Sequence, residues 1–465
     1  MRLLIALGLL AASLVAEEHE IKVNGEKLTY TSQVGKLPLK NEKGEVKGEI
    51  FYVSYLKKEE DKSTHRPVTF CFNGGPGSSS VWLHMGCFGP KKVKDALVPP
   101  YGVEDNPYTL LDVTDLVFLD PVSTGLSTIG ADQDPKQFHG VDEDIQAMAE
   151  AIRLWTTENG KWDNPKYLAG ESYGTTRAAG LALKLHDDEY FYLNGVILVS
   201  TVLSFQTIND QTMTNDLPYI LLLPSYTAAA EYYGKLPKNL KDPVKASEKF
   251  ALEVYGPALL KGDLLSESEK EGLVEKLSMF TGLSKKFLKQ ANLRVSVPFF
   301  AKEFLKDDQK IVGRFDFRVT GYETDATRQF FEYDPSFEMM AGPFTGAFNQ
   351  YLKQELKYEF SDPYKVITDV FPWKWGTSGQ GYLNVGNKLK EVMAKNPSLK
   401  VFTASGLYDL ATPYYITDYT FNHLGLNPAQ KLKVTSKTYP GGHMMYLDTE
   451  NLKALKEDLK SFYKS

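Results

Sequence analysis

The chain has 465 residues, 42% hydrophobic and 24% charged. That is enough apolar mass for one large α/β domain with a substantial insertion, or for two domains, and too much for a disordered chain. Its formal net charge of −6 comes without a basic stripe, which excludes nucleic acid as the expected partner, and two cysteines, Cys71 and Cys87, are too few for a disulfide framework.

Met1 to Ala16 carries one arginine, an unbroken apolar run from Leu3 to Leu10 and then small residues, the layout of a secretory signal. The run is too short to span a bilayer. Cleavage is expected after Ser13 or Ala16, and no spanning run follows, so a secreted or periplasmic protein without membrane contact is expected. No asparagine opens an Asn-x-Ser/Thr acceptor, since Asn396 is blocked by Pro397, which favours a bacterial envelope over a eukaryotic secretory route.

Val46 to Leu56 alternates as a strand, and Val68 to Phe72 is a short buried strand that delivers the chain into Asn73-Gly74-Gly75-Pro76-Gly77-Ser78-Ser79-Ser80. A glycine-rich loop after a strand lets backbone N–H groups approach a ligand, and in a hydrolase an oxyanion hole belongs there. A nucleotide phosphate loop is disfavoured because the Gly-Lys-Ser/Thr ending is missing. Leu116 to Leu119 is a further strand leading into Asp120-Pro121, and Ile145, Met148, Ile152 and Trp155 share one face of a helix over Asp142 to Trp155.

Tyr167-Leu168-Ala169 reads as a buried strand ending in Gly170-Glu171-Ser172-Tyr173-Gly174, and Tyr173 to His186 reads as a helix. A serine on a sharp strand-to-helix turn presents its hydroxyl for attack on a carbonyl, so Ser172 is the expected nucleophile. Val196 to Val199 gives another strand, after which the β-α rhythm stops until Leu399 to Thr403. Between them, the Ser266-x-x-Glu269 capping box opens a helix through Met279, and Val312 to Val319 alternates like a hairpin strand. The expected organisation is a signal over 1–16, a first hydrolase part over 17–202, an inserted, largely helical cap over 203–370, and a second hydrolase part over 371–465.

Val401 to Ser405 runs as a strand into Gly406-Leu407-Tyr408-Asp409, and Gly441-Gly442-His443-Met444 follows the strand-like Lys431 to Thr438. The order Ser172, Asp409, His443 is that of an α/β-hydrolase triad, with acid and base on loops after the last strands. Asp418 is the reserve acid.

These blocks, with Phe88-Gly89-Pro90 and Asp120-Pro121-Val122-Ser123-Thr124-Gly125, resemble the serine carboxypeptidase family (peptidase family S10), in order from about Tyr30 to the C-terminus. The resemblance implies an α/β-hydrolase fold: a mostly parallel twisted sheet flanked by helices, with an inserted cap. It also implies release of C-terminal residues from peptide substrates through an acyl-enzyme, without metal or cofactor. By position it makes Ser172, Asp409 and His443 the triad and the N–H groups of Gly75 and Tyr173 the oxyanion hole. Asn73 and Glu171 become binders of the substrate carboxylate, and Met444 a wall of the leaving-residue pocket.

Two positions depart from the family pattern. Ser78 stands where a cysteine is usual, and Cys87 aligns with a common glutamate. Without a second carboxyl to repel it, Glu171 is expected to be ionised near neutral pH. An esterase or acyltransferase on the same scaffold, or an inactive binding protein, are the other readings; oligomeric state has no signal.

Overall fold

In a computed structural model that describes residues 15–58, 65–94, 97–210, 214–325, 327–328, 331–376 and 381–464, the chain is built on one large mixed sheet. The strands are β1 (Val15–Val23), β2 (Glu26–Lys40), β3 (Val46–Lys57), β4 (Val68–Phe72), β5 (Asp115–Leu119), β6 (Thr128–Ile129), β7 (Lys166–Glu171), β8 (Gly195–Val199), β9 (Lys400–Gly406) and β10 (Val434–Tyr439). Their order across the sheet is β1-β2-β3-β5-β4-β7-β8-β9-β10, with β6 beside β3. The first four strands along this path pair antiparallel, and from β5 to β10 all pairs are parallel.

The parallel strands β4, β5, β7 and β8 are buried along their whole length, which is why they read as short continuous apolar runs. Alternate side chains enter two cores. Cys71, Phe118, Ala169, Ile197 and Phe402 face one side, and Phe70, Val117, Leu168, Leu198 and Val401 the other. The second face is covered by α1 (Val141–Glu158), α2 (Tyr173–Asp188) and a later helix over Gly386–Lys395.

Between β8 and β9 lie, among shorter helices, α3 (Leu217–Tyr232), α4 (Glu267–Thr281), α5 (Pro335–Gln354) and α6 (Gly386–Lys395), and α7 (Tyr414–His423) and α8 (Thr449–Lys464) follow β9. Ser266 and Glu269 form the capping box expected of them at the start of α4. Residues from α3, α4 and the segment to Phe317 bury one another in a third core, which Leu410 joins from the hydrolase side. In α5, by contrast, Met340, Phe344, Phe348 and Tyr351 enter the first core, on the sheet. The insertion expected over 203–370 is thus divided between the first and third cores, while its end residues Leu203 and Val370 belong to the second.

Three local readings change. The strand expected over 312–319 is the connection of a hairpin whose strands are Lys310–Val312 and Thr320–Tyr322. The strand expected from Lys431 begins only at Val434, because Asn427 caps a turn of helix over Pro428–Lys431. The β1–β2 hairpin had not been anticipated; Asn24 and Gly25 take φ of 52° and 83°, the paired positive values of a tight two-residue turn. The expected signal over 1–16 lies outside the described residues apart from Val15 and Ala16, which begin β1. No helix among the described residues is long and apolar enough to cross a membrane.

Candidate active site

Strand β7 ends at Glu171 and α2 starts at Tyr173, so Ser172 alone makes the turn, with φ 59° and ψ −129°. This strained left-handed value lifts a half-buried serine clear of the sheet. The flanking glycines are required sterically: a Cβ on Gly170 would stand 2.1 Å from the Gly174 carbonyl oxygen. The Ser172 N–H donates to the Val199 carbonyl at 3.0 Å, which anchors the turn to β8.

The glycine-rich loop after β4 lies directly against this turn. A Cβ on Gly74 would meet the backbone nitrogens of Gly174 and Tyr173 at 2.4 and 2.5 Å, so only glycine lets the two segments touch. Gly75, with φ 100°, turns the loop beside the N-terminus of α2. Two buried groups brace it. Arg177 is ion-paired to Asp144 at 2.7 Å and donates to the Asn73 carbonyl at 2.5 Å. Asp120 accepts the Ser80 N–H at 2.8 Å and the Tyr364 hydroxyl at 3.2 Å. Burial pushes Asp120 up to about 7.

At the ends of β9 and β10, Asp409 and His443 meet under the same loop. Asp409 Oδ2 lies 2.8 Å from His443 Nδ1 and accepts the Thr412 hydroxyl at 2.7 Å, and Oδ1 accepts the N–H groups of Ala411 and Thr412 at 2.6 and 3.1 Å. Burial alone would raise Asp409, but the His443 charge and these donors outweigh it and hold the carboxyl below its usual value. For His443, burial disfavours the imidazolium; the charge and hydrogen bond of Asp409 prevail, and its pKa lies above 6.5. With Nδ1–H directed at the carboxylate, Nε2 is the free nitrogen. The His443 N–H donates to the Phe315 carbonyl at 2.6 Å, and its carbonyl accepts the Ser200 hydroxyl at 2.5 Å. Asp418, the reserve acid, sits instead on α7 near Glu248, whose charge, after burial, raises it.

Ser172 and His443 line one cavity of about 120 Å³, together with Asn73, Gly75, Glu171 and Met444. Glu171 is 3% exposed. Its Oε1 accepts from Asn73 Nδ2 at 2.9 Å and its Oε2 from the Tyr446 hydroxyl at 2.6 Å. Asn73 Oδ1 in turn accepts the Leu83 N–H at 3.0 Å. Burial pushes Glu171 up to about 7 against these donors. The expectation of a Glu171 ionised near neutral pH is therefore corrected to one that keeps about half its proton there: desolvation raises it first, and the Asp409 charge adds to this without any carboxyl at position 87. Cys87 is buried on a one-turn helix over Leu83–Phe88, and burial and then the Glu171 charge raise its thiol. Cys71 and Cys87 are both free and buried.

Sequence reading had missed Arg177, Asp144, Thr412 and Tyr446. The signal for the last two was position: each stands three residues beyond a triad candidate, where a short turn returns a side chain to the same spot. Arg177 and Asp144 carried none, since their pairing depends on how α1 and α2 pack.

A serine carboxypeptidase family model matches residues 27–240. Over that stretch the chain is similar to the serine carboxypeptidase family. No curated protein sequence matches it. Among solved structures, the prohormone-processing carboxypeptidase Kex1 of Saccharomyces cerevisiae is similar in fold, with 15% identity and a TM-score of 0.59 over 93% of this chain and 91% of that one. A proline iminopeptidase of Mycobacterium smegmatis aligns over 96% of this chain and 98% of that one, at 13% identity and a TM-score of 0.37. The fold that the chain shares with Kex1 is that of an α/β-hydrolase.

Proposed function

We propose that the protein is a serine carboxypeptidase that releases C-terminal residues from peptides through an acyl-enzyme on Ser172, and that it is exported to a periplasmic or extracellular space. The observation that carries the reading is the bonded Asp409–His443 pair opening into the same cavity as Ser172 and Glu171.

His443 Nε2 takes the Ser172 proton as the hydroxyl oxygen attacks the scissile carbonyl. Negative charge on the carbonyl oxygen is met by the N–H groups of Gly75 and Tyr173 at the N-terminus of α2. His443 then protonates the departing amine, the C–N bond breaks, and the acyl ester remains on Ser172. Water, deprotonated by His443, hydrolyses that ester and restores the serine. Asp409 holds the ring in the required tautomer and offsets its charge. Protonated Glu171 donates a hydrogen bond to the substrate's terminal carboxylate beside Asn73, and Met444 walls the space for the leaving residue.

The test has two parts. Ser172→Ala is expected to lose fluorophosphonate labelling and roughly 10⁴- to 10⁶-fold in rate while keeping its circular dichroism spectrum. Digests of a peptide library, read by mass spectrometry, are expected to show C-terminal ladders from free-ended peptides and few from amidated ones. Equal rates on both would make the enzyme an esterase or acyltransferase instead.

A further inference from the structure

Every described arginine but one is ion-paired. Arg66 pairs with Asp115, Arg153 with Glu189, Arg177 with Asp144, Arg294 with Asp216, Arg318 with Asp316, and Arg328 with Asp325 and Glu332. Arg314 has no carboxylate within ion-pair distance among the described residues, and its side chain lines the cavity that holds Ser172, Asn73, Glu171 and His443. It is the one lysine or arginine on that lining.

Its place is fixed from several sides. The Arg314 N–H is shared by both carboxylate oxygens of Asp334, at 3.2 Å each, where Asp334 caps α5. The guanidinium rests over the Phe315 ring at 5.2 Å, and that ring lies 4.9 Å from the His443 ring. The Phe315 carbonyl accepts the His443 N–H, so the cation and the base are carried on one connected unit. An exposed guanidinium next to a reactive serine, with five N–H donors and no internal acceptor, is a ready site for a planar anion. Apart from the catalytic pair, the other polar side chains on the lining are engaged or negative: Asn73 donates to Glu171, the Trp82 N–H to the Ser78 hydroxyl and that hydroxyl to the Ser79 carbonyl, and Glu171 carries about half a negative charge near neutrality.

We propose that Arg314 is a specificity-determining residue that binds a carboxylate of the substrate. The proposal deepens the carboxypeptidase reading and rests on it for the identity of the substrate. The carboxylate has two sources: the free C-terminus, or an aspartate or glutamate side chain next to the cleaved bond.

The experiment follows hydrolysis of a neutral ester by the full chain and measures competitive inhibition by N-benzoylglycine, by its amide, and by N-acetyl-glutamate α-amide, which keeps only the side-chain carboxylate. For the wild type, the two carboxylates are expected to inhibit more strongly than the amide, with Ki rising as salt is raised from 20 to 500 mM, concentrations chosen to span weak to strong screening. Arg314→Gln is expected to weaken inhibition by whichever carboxylate it binds by roughly 10- to 100-fold relative to the amide, the range for a hydrogen bond to a charged group. Arg314→Lys is expected to keep part of the effect. Loss confined to N-benzoylglycine assigns the C-terminus, and loss confined to the glutamate amide assigns an acidic side chain. Because the Arg314 charge also lowers His443, the pKa governing ester hydrolysis should rise in Arg314→Gln, which a purely structural role would not produce.

Equal inhibition by carboxylates and amide in the wild type, or unaltered discrimination in a folded Arg314→Gln, overturns the proposal. If the Gln variant does not fold, the wild-type salt series and Arg314→Lys decide it. The ester assay reports on Arg314 even if peptides are not cleaved, so failure of the carboxypeptidase reading is seen separately.

Discussion

Glu171 has the most consequential electrostatics in the cavity, because its proton decides whether a substrate carboxylate is welcomed or repelled. Burial lifts it from 4.5 to about 7, and His443 lies above 6.5. Peptide cleavage needs Glu171 protonated and His443 neutral, two demands that pull in opposite directions across the same pH range. The kcat/KM for free-ended peptides is therefore expected to fall on the alkaline side as Glu171 ionises through about pH 7 and on the acid side as His443 takes up its proton, whereas that for a neutral ester should rise with pH and level off. Stopped-time assays between pH 5 and 9 would check this; matching profiles for the two substrates would remove Glu171 from carboxylate binding. The same shift has a stability sign. A carboxyl raised on folding contributes fully below its unfolded value and loses that contribution as pH climbs through its folded value. From about pH 4.5 to about pH 7 the protein should thus lose up to about 3 kcal/mol that Glu171→Gln does not lose, measurable as urea midpoints of both forms at pH 5 and 8.

The unit that matters among elements is the seam where the β4 loop meets the β7–α2 turn. Gly74→Ala is expected to leave the fold intact but push the loop from the turn, lowering kcat roughly 10²-fold with a smaller change in KM, since a missing oxyanion donor costs about that much. Below the seam, Arg177→Leu leaves Asp144 buried and unpaired and should cost about 3–5 kcal/mol in a urea melt. This seam was partly legible. Gly-x-Ser-x-Gly and the glycine-rich loop announced themselves because only glycine tolerates such close backbone approach, and strand-then-glycine patterns survive in one dimension. The ion pair beneath was not legible, because it joins residues on two helices whose mutual packing no local pattern encodes. The Arg314 side chain was equally hidden, since its stretch alternated like a strand but forms the connection of a hairpin.

At the scale of the molecule, the sheet was read well where strands are short, apolar and buried on both faces, and poorly at its antiparallel start, although Asn24-Gly25 flanked by alternating residues is the usual sign of a tight hairpin. The insertion was legible as helical but not in its division, because a helix pattern tells which face is apolar and not which core receives it. That division carries a prediction. The third core meets the sheet side through Leu407, Tyr408 and Leu410, with the Tyr414 hydroxyl donating to Glu248 at 2.7 Å across the same boundary. Phe300→Ala, which truncates a fully buried ring of that core, should cost about 3–5 kcal/mol. Native-state hydrogen exchange should report the loss over 217–312 while protection in β4, β7 and β8 persists. A uniform loss would mean that the two cores open as one unit.

The two buried thiols bear on how the protein reaches its folded state. With no cross-link to form, maturation asks nothing of an oxidising environment or of enzymes that shuffle disulfides, and burial, which raises both thiols, keeps them from alkylating agents. The folded chain should be indifferent to dithiothreitol in both melting temperature and turnover. A reducing cytosol is then as serviceable a place to produce it as an exported route.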